Sequence, residues 1–160
     1  MIKIISIIFI FLFLHSCNRP CSDNYINPVF VGFAPSDIDT FILKEYKPND
    51  NYTHLIDTFL ITLNGKLSVA TTSNDTTIVS LYINDFPSYI HSGYDWQIYI
   101  PAKNKTVTIS NIINGDPISA SRGCFYSIES FIQDSQLVVP QLMLTGNSYT
   151  SGYMAYITNH

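Results

Sequence analysis

Three observations predict an all-β fold, an antiparallel β-sandwich of immunoglobulin-like or prealbumin-like type. Apolar residues alternate at period two or fall in short runs, and no stretch sustains helical spacing. Turn clusters punctuate these runs, among them Lys47-Pro48-Asn49-Asp50-Asn51, Asn64-Gly65 and Asn114-Gly115-Asp116-Pro117. Charged residues are only 12% of the 160-residue chain, about half the roughly 25% usual in soluble domains. Asn, Ser and Thr take their place, which suits turns and pleated solvent faces. The 11 Tyr and 10 Phe supply enough bulk for one core.

The elements follow in order. Residues 28–33 form the first strand, closed by Ala34-Pro35-Ser36-Asp37. Residues 38–46 form the second, with Phe41 and Leu43 on one face and Ile42 on the other. After the turn at 47–51, residues 55–63 alternate: Phe59, Ile61 and Leu63 share a face, and Thr58, Leu60 and Thr62 look outward. Asn64-Gly65 is the strongest hairpin signal and is expected to reverse the chain into 66–71. Residues 77–83 place Val79, Leu81 and Ile83 together. Trp96, Ile98 and Ile100 alternate against Gln97 and Tyr99, and Pro101-Ala102-Lys103-Asn104 leads into a strand at 106–110. The turn at Asn114–Pro117 precedes a strand at 123–128, with Cys124, Tyr126 and Ile128 on one face. Residues 127–133 are the one candidate helix. Residues 137–144 are interrupted by Pro140 and read as an edge strand. Tyr153, Ala155 and Ile157 line one face of the last strand, 149–158.

The head of the chain speaks to location. Met1-Ile2-Lys3 is a short cationic start, and the apolar run from Ile4 to Leu14 is broken only by Ser6. That length suits an export signal and falls short of the roughly 20 residues that span a bilayer. Leu14-His15-Ser16-Cys17 resembles a bacterial lipobox, with Leu three places before Cys and a small residue just before it. The resemblance implies cleavage before Cys17 and acylation of that residue. His15 departs from the small or aliphatic residue common there. Of the three cysteines, Cys21 and Cys124 then remain as a pair in an oxidising compartment. The expected organisation is a signal peptide at 1–16, a lipidated tether at 17–27 and a β-sandwich domain at 28–160. The stretch Val31-Gly32-Phe33, Asp37-Ile38-Asp39-Thr40, Tyr46 and Leu55-Ile56-Asp57-Thr58 is similar to small lipoproteins of the Bacteroidota. That likeness implies an envelope location and carries no chemistry.

Catalytic motifs are missing: there is no GxSxG, HExxH, GxGxxG or phosphate loop. No Cys/His spacing suits zinc, and Asp37 with Asp39 reads as turn chemistry. No catalytic residue, metal or cofactor is expected. The net charge of −4 disfavours nucleic acid as a partner. Tyr89, Tyr94 and Tyr99, around Trp96, form the candidate binding surface, since rings on sandwich loops can anchor a protein or stack on a glycan. Asn51-Tyr52-Thr53, Asn74-Asp75-Thr76 and Asn104-Lys105-Thr106 match the Asn-glycosylation pattern, and Asp75-Thr76-Thr77 resembles an O-glycosylation acceptor of the same phylum. The expectation is a non-enzymatic binding or structural lipoprotein, exported to the outer membrane or cell envelope. Its partners are the membrane through the lipid, and an envelope protein or glycan. Two other readings stay open: a surface adhesin or fimbrial-type subunit, which needs an exposed sheet edge, and an enzyme or accessory domain of a hydrolase system, which needs convergent carboxylates.

Overall fold

The computed structural model describes residues 21–62, 67–71, 77–81, 90–120, 123–140, 142–143 and 152–159. They form two β-sheets packed face to face, the expected all-β sandwich. The first sheet runs β11 (Leu142–Met143), β12 (Gly152–Thr158), β1 (Tyr25–Val31), β5 (Thr77–Leu81), β4 (Leu67–Thr71), and β6 (Ile90–His91) shares the β1 edge with β5. The second runs β10 (Gln136–Val138), β9 (Gly123–Gln133), β8 (Lys105–Ala120), β7 (Asp95–Ile100), β2 (Thr40–Tyr46), β3 (Leu55–Thr62). Every pairing is antiparallel except one. β1 and β12 run parallel, with Ile26 opposite Tyr153, Pro28 opposite Ala155 and Phe30 opposite Ile157. Antiparallel hairpin logic cannot reach that pair, because it joins the two ends of the domain.

Period-two patterning builds the core. On β7, Trp96, Ile98 and Ile100 are buried while Gln97 and Tyr99 are half-buried on the other face. On β2, Phe41 and Leu43 point inward and Ile42 outward; on β12, Tyr153, Ala155 and Ile157 point inward. Phe30 of the first sheet packs on Phe41 of the second with ring centroids 5.6 Å apart, and edge-on to Phe33 at 5.8 Å. Burying each such side chain stabilises the fold by roughly 1.5–3 kcal/mol. β1 ends at Gly32, whose φ of +77° is left-handed backbone that suits glycine. A single-turn helix α1 (Pro35–Ile38) follows, where Asp37 accepts the Ala34 amide at 3.0 Å and pairs with Lys103 at 3.0 Å. Lys103 ends the 3-10 turn Pro101–Lys103, so this ion pair ties the β1–β2 connection to the β7–β8 connection.

Several expectations are corrected by tertiary pairing. The first strand begins before residue 28: β1 starts at Tyr25, and Asn24, Ile26 and Asn27 are buried. The Asn64-Gly65 turn lies outside the described residues, but its flanking strands do not pair. β3 pairs with β2 in one sheet, and β4 with β5 in the other. β3 and β4 therefore belong to different sheets and are not the two arms of one hairpin. Asn114–Pro117 is not a turn but the irregular middle of the long strand β8, where the register with β9 shifts three times. Gly115 serves close approach: a Cβ there would stand 2.6 Å from Ser127 Oγ. The candidate helix at 127–133 is strand β9, whose pairing with β8 and β10 overrides its weak helical pattern. The expected edge strand at 137–144 is two edge strands, β10 in one sheet and β11 in the other, with Pro140 between them.

The Cys21–Cys124 disulfide is present, with Cα atoms 4.6 Å apart across a sequence separation of 103. Beside it the Ser22 amide donates to Cys124 O and the Tyr126 amide to Ser22 O, both at 3.0 Å. The N-terminal segment is thereby laid along β9 as a short parallel bridge. Closing a loop of about 100 residues removes roughly 4.7 kcal/mol of unfolded-state entropy in the chain-entropy model. Replacing Cys21 and Cys124 by Ser is accordingly expected to lower stability by about 4 kcal/mol, read as a lower urea midpoint with a steeper slope, because the unfolded chain without the cross-link is less compact. The same shift should appear in the native protein on full reduction.

Candidate functional site

The polar and aromatic groups that the core does not absorb gather at the end of the sandwich where β2 finishes and β7 begins. β2 continues its inward parity past Phe41 and Leu43 to Glu45, which lies opposite Trp96 on β7 and Asp57 on β3. A carboxylate thus occupies an apolar face. Burial pushes its pKa up, the Asp57 carboxylate opposite adds to the rise, and His91 opposes it. His91, Tyr94 and Trp96 form an aromatic cluster, each pair edge-on, with centroids 5.3 to 6.1 Å apart. Trp96 Nε1 donates to His91 O at 3.0 Å, which satisfies its buried indole. Next to them Asn114 Nδ2 donates to Asp23 Oδ1 at 2.9 Å and to Ser92 Oγ at 3.0 Å, while Asn114 Oδ1 is buried without a partner.

The loop between β2 and β3 closes over the outer face at the same end. Asn49, Asn51 and Tyr52 have φ near +60°, and Asp50 holds the bend by accepting from the Thr53 and His54 amides at 3.2 and 3.1 Å. Asp50 also contacts His54 Nδ1 at 2.6 Å. Its pKa is lowered: desolvation raises it, but the hydrogen bonds from His54 and the Thr53 and His54 amides together outweigh that. Tyr52 packs edge-on against Tyr46 at 5.4 Å, and the Tyr46 hydroxyl donates to Gln97 Oε1 at 3.0 Å. The Asn49 amide donates to the buried Asp95 carboxylate at 2.8 Å. These contacts make the loop part of the fold.

The candidate aromatic surface is not one surface. Tyr89 and Cys17 lie outside the described residues. Tyr94 is half-buried and packed against the core, on the inner face with Trp96. Tyr99 is on the outer face, five residues further along β7, roughly 16 Å away; its hydroxyl donates to Asn104 Oδ1 at 3.3 Å. Tyr99 belongs instead to a cross-strand row with Ile42 and Leu60. Glu45 and His91 are not among the residues the sequence marks for a site, and Asn114 reads there as part of a turn. Extending the period-two face of β2 by one step points to Glu45; nothing in the sequence brings His91 and Asn114 together. Among the described residues no group of three or more His, Cys, Asp or Glu side chains is placed to hold a metal ion, and no helix is long and apolar enough to cross a membrane. The chain matches no protein-family model, and no curated protein or solved structure matches it either.

Two outcomes follow from this geometry. Tyr94→Ala removes a half-buried ring from the end of the core and should cost about 2 kcal/mol, less than the 3–5 of a fully buried ring, measured by chemical denaturation. Glu45 has a raised folded pKa, so the folded state binds its proton more tightly than the unfolded chain does. Its contribution to stability is largest at low pH and is lost as pH rises through the raised pKa. Glu45→Gln should therefore be more stable than the native chain at neutral pH. The difference should shrink as pH falls toward the ordinary value of 4.5, followed by urea midpoints across that range.

Proposed function

We propose that this protein is a lipid-anchored, non-enzymatic module of the cell envelope that works by surface contact. One observation carries the anchor reading. The Cys21–Cys124 bond uses two of the three cysteines, and the one left over is Cys17, at the end of the lipobox-like Leu14-His15-Ser16-Cys17. Acylation of Cys17 would use it. Three acyl chains, at roughly 0.8 kcal/mol per buried methylene, would hold the protein at the membrane. The disulfide stands four residues after Cys17, so it would keep the leash to roughly 14 Å. The contact reading rests on the side chains themselves. The carboxylates of the β2–β7 end are engaged in turns, or set against one another, and the exposed Leu55, Ile56, Leu60 and Leu137 lie on the edge strands β3 and β10.

A second reading, a surface adhesin or fimbrial-type subunit, is favoured by one specific feature: among the described residues the outer edge of β3 is unpaired, the kind of edge that strand addition uses. The primary reading is tested at Cys17. Cys17→Ser should abolish fatty-acid labelling and release the protein from the membrane fraction. Persistence of both label and membrane association would overturn the anchor.

A further inference from the structure

β3 is the last strand of its sheet, and among the described residues nothing pairs with its outer edge. Long apolar edges invite uncontrolled pairing, and proteins blunt them with bulges and inward-pointing charges. Both devices are present at one end of β3. The ladder with β2 shifts register between Glu45 and Tyr46, leaving Ile56 unpaired, and Asp57 points inward opposite Glu45 while accepting the Thr58 amide at 2.7 Å. Among the described residues the regular edge beyond these devices runs Thr58-Phe59-Leu60-Ile61-Thr62. Those five residues read the same by chemical class in either direction. Thr58, Leu60 and Thr62 face solvent, with Leu60 67% exposed, while Phe59 is half-buried and Ile61 buried on the core side.

We propose that β3 pairs antiparallel with β3 of a second copy of this chain, with the two-fold axis passing at Leu60. In that register Leu60 lies against the partner's Leu60, Thr58 against the partner's Thr62, and Phe59 against the partner's Ile61. Hydroxyl meets hydroxyl and apolar meets apolar on both faces, and no carboxylate faces another. A one-residue slip would set outward side chains against inward ones. A pairing centred on Asp57 would oppose two carboxylates. Leu60 lies opposite Ile42, and Ile42 opposite Tyr99. The pairing joins this row to its copy and covers the most exposed apolar side chain of β3, and the inner pair extends the core past Phe59. The interface uses the same patch on both copies, so it closes as a dimer and does not propagate into a filament. It is short, so the dimer is reversible and favoured where copies are concentrated.

The test uses the full-length protein, oxidised with copper–phenanthroline and read on non-reducing gels. Leu60→Cys places two thiols directly across the axis, with Cβ atoms roughly 4.5–5.5 Å apart, and should give a disulfide-linked dimer. Thr58→Cys places them about four residues apart along the strands, roughly 13 Å, and should stay monomeric. The Thr58→Cys, Thr62→Cys double variant should recover the dimer. The unsubstituted chain reports any dimer made through its own cysteines, which keeps the outcome independent of whether Cys17 is acylated. Leu60→Lys opposes two ammonium groups and should yield monomer by analytical ultracentrifugation, with its β circular dichroism and melting temperature retained because the side chain is exposed. The proposal is overturned if Leu60→Cys remains monomeric in folded protein. It is equally overturned if Thr58→Cys cross-links as well as Leu60→Cys, or if the adduct has the mass of a different protein, which would mark the edge as an acceptor for a foreign strand.

Discussion

The contact between Phe30 and Phe41 joins the two sheets, and the rest of the fold depends on the burial it represents. Each sheet presents one apolar face and is stable only when that face leaves water. Phe30 comes from the central strand of one sheet and Phe41 from the second-to-last strand of the other, and Phe33 completes the trio from the connection between them. Ile26, Tyr153, Ala155 and Ile157 extend the same layer on one side, and Leu43, Trp96, Ile98 and Ile109 on the other. A chain that crosses repeatedly between its sheets brings these residues together from positions more than 100 apart in sequence. The parallel pairing of β1 with β12 and the Cys21–Cys124 bond close that long loop from two sides.

With the layers in place, the ends of the sandwich must satisfy the polar groups that the strands carry there. At the β3–β2–β7 end the solution is local and dense. Asp50 and Asp95 accept backbone amides of the β2–β3 loop, Gln97 accepts from Tyr46, and Trp96 donates to the carbonyl of His91. Two groups stay under tension. Glu45 sits where its strand's parity demands an apolar residue, and Asn114 keeps one buried oxygen unpaired. At the opposite end, the Asp37–Lys103 pair and the bonds of Asn159 to Val31 and Gly32 perform the equivalent task. Among the described residues, polar chemistry at both ends is thus largely engaged in holding loops.

How far the candidate site could be read in advance follows from distance along the chain. Tyr99 and Leu60 were legible as outward residues from alternation alone, but their meeting through Ile42 needed the order of β3, β2 and β7. Tyr94 looked like a surface ring because it stands in a polar turn. It packs against the core because His91 and Trp96 lie on either side of it once β6 and β7 join opposite sheets. The bond between Cys21 and Cys124 was legible from parity once Cys17 was set aside, since counting thiols needs no coordinates.

The sequence by itself determined the class of fold and the inward faces of β2, β3, β7, β8 and β12. Period-two alternation in 40–46, 95–100 and 153–157 is a property of neighbouring residues, and burial of the apolar set leaves a strand only one way to face. It also placed a break at Pro140, which lies between β10 and β11. Only the tertiary structure decided which strands pair. Asn64-Gly65 has the chemistry of a hairpin, yet its strands serve different sheets; Asn114–Pro117 has the chemistry of a turn, yet it lies within β8, which pairs with β9 on both sides of it. Local propensity of this kind is worth on the order of 1 kcal/mol. It yields wherever several buried side chains, each worth roughly 1.5–3 kcal/mol, require the chain to run another way.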